Sequence, residues 1–168
     1  MSKFKYFPSF SVAGFGQALR KNLVLRNGLT SRFYSKDFPE KYRHTEFLIS
    51  AGHFLKHADL YGEHGFTSDN LIMGDSGGFQ IASGALKWDK SLLEKVFVWL
   101  ENNSDIAMNL DIPPKMTYEG MYEECLRISK DNFKYFADKQ TGNTDFLNVV
   151  QGTNEIEYMN WYDQIKDF

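Results

Sequence analysis

The sequence predicts an α/β fold, a parallel sheet covered by helices, and three observations carry that prediction. Short apolar runs hand over to polar or Gly-rich exits and then to segments of helical period, about five times along the chain. The connections between these units are short, as βα units require. At 168 residues, with 42% hydrophobic and 16% aromatic positions, the chain can bury one core and fits one domain. An open doubly wound sheet and an arc of a barrel both satisfy this grammar.

Residues 5–13 mix aromatics with Val12 and meet Gly14-Phe-Gly16, the pattern of a first strand with a Gly-rich exit. Residues 17–26 carry Leu19 and Leu23 at helical spacing and stop at Asn27-Gly28, which predicts a helix. Residues 30–43 form an aromatic, charged connection containing Pro39, with no clear period. Residues 46–51 predict a second strand around Phe47-Leu-Ile-Ser50, exiting into Gly52-His53. His53 and His57 stand four apart, yet the His-Glu-x-x-His pattern of a zinc protease is missing, so ordinary surface or loop histidines are expected. The run Leu71-Ile-Met-Gly74 predicts a third strand, which breaks at Asp75-Ser-Gly-Gly-Phe-Gln80.

Ser91 with Glu94 reads as a capping box, and Leu92, Leu93, Val96, Phe97 and Leu100 give the following helix its apolar stripe, closed by Asn102-Asn-Ser104. Residues 105–110 predict the next strand, which Pro113 and Pro114 cannot continue. Residues 117–138 predict a helix whose inward stripe is Tyr122, Cys125, Leu126, Ser129, Phe133 and Phe136, giving Cys125 a core role. Residues 146–150 predict the last strand, leading into Gln151-Gly152, and Asn154 with Glu157 caps a final helix on which Tyr158, Trp161, Tyr162 and Ile165 share a face.

The formal net charge of -3 gives no overall basic field for nucleic acid, while leaving room for a local patch. The single cysteine excludes an internal disulfide and a multi-cysteine zinc cluster within the chain, and points to a reducing cytoplasm. The opening Met1-Ser-Lys-Phe-Lys-Tyr-Phe-Pro8 lacks the apolar stretch of a secretory leader, and no apolar run reaches the length of a bilayer span, so a soluble protein without membrane partners is expected.

Chemistry is expected where the apolar runs end, at Asp75, Asp111 and Gln151. Residue types alone leave this open. Asp-Ser-Gly-Gly is ordinary turn chemistry, since Asp and Ser bond their own backbone and Gly accepts positive φ. Asp111 reads equally well as a strand-end acid, Gln151 as a solvated loop amide, and Phe79 as a core side chain. A phosphate-cradling turn in an unrelated doubly wound protein is a further reading, though neither Walker nor Rossmann spacing is present.

Three segments together carry a more specific likeness. Asp75-Ser-Gly-Gly-Phe-Gln80 resembles the signature of the tRNA-guanine transglycosylases, the queuine tRNA-ribosyltransferase superfamily. Met108-Asn-Leu-Asp111 is similar to that family's Met-x-Phe-Asp segment, and Asn148-Val-Val-Gln-Gly152 to its Ile-Val-Gln-Gly segment, in the same order. Leu48-Ile-Ser-Ala-Gly-His-Phe54 is distantly similar to the family stretch ending in Thr-Tyr-His-Leu.

The resemblance implies a (β/α)8 TIM barrel and, because a complete barrel takes about 250 residues, a single incomplete barrel domain over 1–168, its N-terminal part of about five βα units. It implies roles as well. Asp75 is the general acid/base that manages the purine proton, and Phe79 stacks on the base. Asp111 accepts two hydrogen bonds from guanine N1-H and the exocyclic amine, and Gln151 donates to O6 or N7. Ser76 and Gly152 complete the base-binding set. The implied reaction is exchange of guanine for a 7-deazaguanine through a covalent intermediate on a carboxylate, with the base drawn out of its stack in tRNA or DNA.

In that family the nucleophilic Asp and the Cys/His zinc site follow the Gln-Gly strand, whereas this sequence ends at Phe168, so neither nucleophile nor metal ligand is assigned and no cofactor is expected within the chain. A complementing C-terminal polypeptide or self-association is the expected partner. Ile112-Pro-Pro114 stands where tRNA-acting members carry an acidic residue and Cys, which leaves room for the DNA-acting 7-deazaguanine branch found in phages and bacterial DNA-modification clusters, and for a host cytoplasm as the compartment. A non-catalytic base-binding or partner-binding fragment of the same fold is the alternative.

Overall fold

A computed structural model describes residues 6–10, 23–24, 28, 30–57, 59–114 and 121–168. The strands are β1 (Ser9–Phe10), β2 (Leu23–Val24), β3 (Thr30–Ser31), β4 (Glu46–Ser50), β5 (Leu71–Asp75), β6 (Ile106–Met108) and β7 (Asp145–Leu147). The helices are α1 (Ala51–Phe54), α2 (Leu60–His64), α3 (Gly78–Ala82), α4 (Lys90–Asn103), α5 (Tyr122–Lys139) and α6 (Glu155–Ile165), with one 3-10 turn at Glu40–Tyr42. The main sheet is parallel, and its order β1-β4-β5-β6-β7 follows the chain without reversal. The separate antiparallel pair β2-β3 takes in Leu23 and Val24, where a helix over 17–26 is predicted; the rest of that predicted helix lies outside the described residues. Pairing with Thr30 and Ser31 wins because Leu and Val are at least as comfortable on a pleated ribbon as in a helix. Of the strand predicted over 5–13, only Ser9–Phe10 is found as strand, and 11–13 lie outside the described residues.

The pleat sorts the strands cleanly. Phe47 and Ile49 of β4, Ile72 of β5 and Ala107 of β6 are buried, and the register Phe47↔Ile72, Ile49↔Gly74, Gly74↔Ala107, Ala107↔Phe146 puts them all on one face. Onto that face α1, α2, α4 and α5 pack Ala51, Phe54, Leu60, Val96, Phe97, Leu100 and Phe136 in one continuous core. Gly74 is the point of closest approach, since a Cβ there would overlap Leu100 and Ser104. The other face carries Leu48, Leu71, Met73, Ile106 and Met108 at intermediate exposure, and none of them belongs to the core cluster among the described residues.

The two long helices form where the apolar period predicts them, the helix predicted over 117–138 being found at Tyr122–Lys139, with 117–120 outside the described residues. α4 begins earlier than the predicted capping box, because Asp89 is the cap: its Oδ1 accepts from Leu92 N at 2.8 Å. Asp caps as well as Ser and adds a negative charge at the positive end of the helix dipole. α6 is capped as predicted, Asn154 Oδ1 accepting from Glu157 N at 3.0 Å. Only half of its predicted face is buried: Trp161 and Ile165 pack against Cys125, Leu126 and Phe133 of α5, while Tyr158 and Tyr162 stay 46% and 50% exposed. The buried pair packs against α5, and one ridge spaced i, i+4 suffices for that contact.

Candidate functional site

The sequence-predicted site residues lie at, or within a few positions of, the C-terminal ends of parallel strands. Asp75 ends β5, and its place in the pleat, one residue after Gly74, turns it to the face away from the helices. Its Oδ1 accepts from Gly77 N at 3.2 Å, an Asx-type closure of the turn. Gly77 has φ 94 and lies against the backbone of Gly52, a conformation and an approach that suit only glycine. Ser76 is buried and its hydroxyl donates to Asn109 O at 3.2 Å, tying the β5 exit to the β6 exit.

Asp111 is held by α5. Asn132 Nδ2 donates to Leu110 O at 2.9 Å and Ser129 Oγ accepts from Ile112 N at 2.8 Å, so two buried polar side chains fix the backbone on both sides of Asp111. The β7 exit is fixed in the same manner by Trp161 Nε1 donating to Val149 O at 3.0 Å and by the amide pair Asn109 Nδ2 to Asn148 Oδ1. These anchors bring the two segments together. Gln151 Nε2 donates to Asp111 Oδ2 at 2.7 Å, across 40 positions of sequence. Gly152 lies against the first turn of α6, where a Cβ would come within 2.8 Å of Tyr158 N.

The carboxyl of Asp111 is 5% exposed, and burial pushes it up from an ordinary 3.8 to about 6; the Gln151 amide works against that rise and the charge of Asp75 adds to it. Gly78 is the wall behind it. A Cβ at that position would stand 2.7 Å from Asp111 O and 2.8 Å from its Oδ1, so the signature loop and the acid fit only with glycine between them. Phe79, the next residue, is 76% exposed at the start of α3, outside the core that its residue type alone would suggest. Gln80 is buried instead, and its Nε2 donates to His53 Nε2 at 2.9 Å, linking the signature loop to the β4 exit.

Asp111 and Gln151 therefore touch, Asp75 acts on Asp111 through its charge, Gly78 walls Asp111, and Phe79 stands exposed on the neighbouring loop. The largest cavity described, about 670 Å³, lies instead between α4 and α5 and is lined by Trp88, Leu93, Arg127, Asn132 and Tyr135 among others, without Asp75, Asp111 or Gln151. Ser129, Asn132 and Asn109 are supports of the site that the sequence does not single out as such. Ser129 falls on the inward stripe of its predicted helix, and a polar residue at a buried helical position is the signal that could mark it. Ser50 is another residue of the strand ends that the sequence does not single out: it ends β4 in register with Asp75, is 1% exposed, and its hydroxyl finds no partner among the described residues.

A cluster with metal-ligand geometry, His57, Glu63 and His64, lies on the α1–α2 segment, so that His57 groups with residues of α2 and not with the His53 that its spacing suggests. Among the described residues no helix is long and apolar enough to cross a membrane. No family model matches this chain, and no curated protein matches it.

Proposed function

We propose that this chain carries the base-recognition part of a guanine transglycosylase, exchanging guanine for a 7-deazaguanine base in tRNA or DNA, on an N-terminal arc of a (β/α)8 barrel. The observation that carries the reading is the 2.7 Å hydrogen bond between Gln151 and Asp111, the two side chains that would read one guanine edge. A carboxylate accepting from guanine N1-H and its amine, beside an amide donating to O6, distinguishes guanine from adenine, which presents an acceptor at N1, a donor at position 6 and no amine at C2.

The architecture supports the barrel arc over a doubly wound sheet. In a doubly wound sheet the strand order reverses at a switch point and helices cover both faces; here the order runs with the chain, and the buried helical side chains of the core meet one face. In a barrel the other face, with Met73, Ile106 and Met108, looks inward, and the strand ends form the active-site rim.

Gln151 satisfies the buried carboxyl of Asp111. Guanine enters by replacing that bond: Asp111 turns to the base's N1-H and amine, Gln151 to O6, and Phe79, exposed on the adjacent loop, closes over the ring. Asp75 then serves as the acid/base for the purine proton, a negative neighbour already felt by Asp111. The carboxylate nucleophile of the exchange has no assigned residue in this chain.

Binding of guanine, a 7-deazaguanine and adenine, followed by calorimetry at about neutral pH, tests the reading. Guanine and the 7-deazaguanine are expected to bind and adenine to bind at least about tenfold more weakly, with Asp111→Ala and Gln151→Ala each losing the preference. Equal binding of guanine and adenine, or guanine affinity indifferent to both substitutions, overturns it.

A further inference from the structure

We infer that His57, Glu63 and His64 form a binding site for a zinc-class divalent transition metal ion, in the helical layer and independent of the base-recognition reading. Their candidate ligand atoms all lie within 4.8 Å of one another. Two imidazoles and one carboxylate are a donor set suited to zinc, and three protein ligands leave a fourth position for water.

The donors are held in place before any ion arrives. α2 is clamped at both ends: Asp59 Oδ1 accepts from Gly62 N at 2.8 Å, and Gly65, with φ 72, closes the helix by donating to Tyr61 O at 2.8 Å. That fixes Glu63 and His64 on one short turn. The carbonyl of His64 accepts from both the Tyr34 hydroxyl and the Arg32 guanidinium, and its ring is fully buried beside Phe54. His57 is held from α4, whose Trp99 Nε1 donates to His57 O at 2.9 Å, while His57 N donates to Phe54 O at 2.8 Å. Ligands oriented through their own backbones in this way lose little freedom when they coordinate.

His57 Nδ1 donates to Glu63 Oε2 at 2.7 Å, so two of the ligand atoms already face each other across the cluster. The His57 and Glu63 side chains are 27% and 40% exposed, which opens the cluster to solvent on one side while His64 closes the other. Metal binding replaces the His57–Glu63 hydrogen bond: the imidazole changes tautomer, its proton passing from Nδ1 to Nε2, and Nδ1 and the carboxylate oxygen both turn to the ion.

The test is titration of the full chain, freed of metal by chelator, with Zn²⁺ and with Co²⁺ as a spectroscopic stand-in. One equivalent is expected to bind, with the intense visible absorption of four-coordinate cobalt. Glu63→Gln and His57→Gln, at partly exposed positions, are each expected to weaken binding by about 100-fold or more, since loss of even a supporting partner costs about 10–100-fold. His53→Gln is the control and should leave the affinity unchanged. Absence of saturable one-to-one binding, affinity unaltered in Glu63→Gln, or loss of binding in His53→Gln overturns the assignment, and Glu63→Gln decides alone if His57→Gln does not fold.

Discussion

Replacing Asp111 by Asn isolates what it costs the fold to keep a carboxylate at the β6 exit. Its carboxyl is raised from 3.8 to about 6, chiefly by burial. At about 1.4 kcal/mol per tenfold change in proton affinity, ionising it in the native state costs about 3 kcal/mol more than in the unfolded chain. The sign follows from the proton count. Below about pH 4 both states hold the proton and the group contributes nothing; between about pH 4 and 6 the native state keeps a proton that the unfolded chain has released, so stability falls as pH rises; above about pH 6 the whole cost stands. Of that cost, about 2 kcal/mol should appear between about pH 4.5 and 7.5. The substituted amide has nearly the same shape as the carboxyl, can still accept from Gln151, and does not titrate. Urea unfolding of both proteins at the two pH values is the assay, with the wild type serving to cancel every other titrating group. Asp111→Asn is expected to be the more stable protein at about pH 7.5, with its advantage about 2 kcal/mol larger there than at about pH 4.5, while guanine binding is lost. Stability profiles that run parallel within about 0.5 kcal/mol would refute the account of Asp111 as a buried, costly acid.

Phe79→Ala should leave stability within about 0.5 kcal/mol, because the ring is 76% exposed, yet weaken guanine binding by about 1–3 kcal/mol if it stacks on the base; calorimetry and urea unfolding together separate the two effects. Gly78→Ala forces a methyl to within 2.7 Å of the Asp111 backbone oxygen, so a destabilisation of about 1–3 kcal/mol and loss of guanine binding are expected, measured by the same pair of experiments. Asp89→Ala removes the cap that α4 uses and should cost about 1 kcal/mol, whereas Ser91→Ala, at the position the capping pattern suggests, should cost no more than a few tenths; thermal unfolding of both variants ranks the two caps.

The strands around Phe47-Leu-Ile49 and Leu71-Ile-Met-Gly74 and both long helices are legible because period-2 burial and the 3.6-residue stripe are properties of the residues themselves, whereas the strand predicted over 146–150 is found at Asp145–Leu147 and gives way to irregular chain at 148–150. Leu92, Leu93, Val96, Phe97 and Leu100 are all buried as their spacing requires. Helix ends are less legible, since Asp89 and Ser91 are comparable caps and only the packing of α4 selects between them. The pair β2-β3 escapes notice because its partner strand, Thr30–Ser31, sits in a stretch without period. At the site, the positions past the strands are readable, but the contacts are not: nothing in the sequence says that Gln151 reaches Asp111, or that Ser129 and Asn132 hold the backbone around it, because those depend on how α5 crosses the sheet. The His57–Glu63–His64 cluster is obscured for a like reason. Spacing couples His57 to His53, while the turn at the end of α1 sends His57 toward α2 instead.

The strict alternation along β5 ties the acid of the signature loop to the core by parity. Ile72 and Gly74 fill the helix side, so Asp75 faces the opposite way by odd count from each of them, and no feature of its own side chain decides this. Substitutions within β5 can change how well the core is filled without moving that carboxylate. Deleting Met73, or inserting one residue after Gly74, does the reverse: either the core pair or the acid must change sides, carrying the acid toward Leu100 and Ser104 or the apolar side chains into the rim. The site is therefore tolerant of variation in which residues make up this strand and intolerant of variation in how many there are. Length polymorphism should be found in the segments outside β5, and a one-residue slip within it should abolish fold and base recognition in a single step.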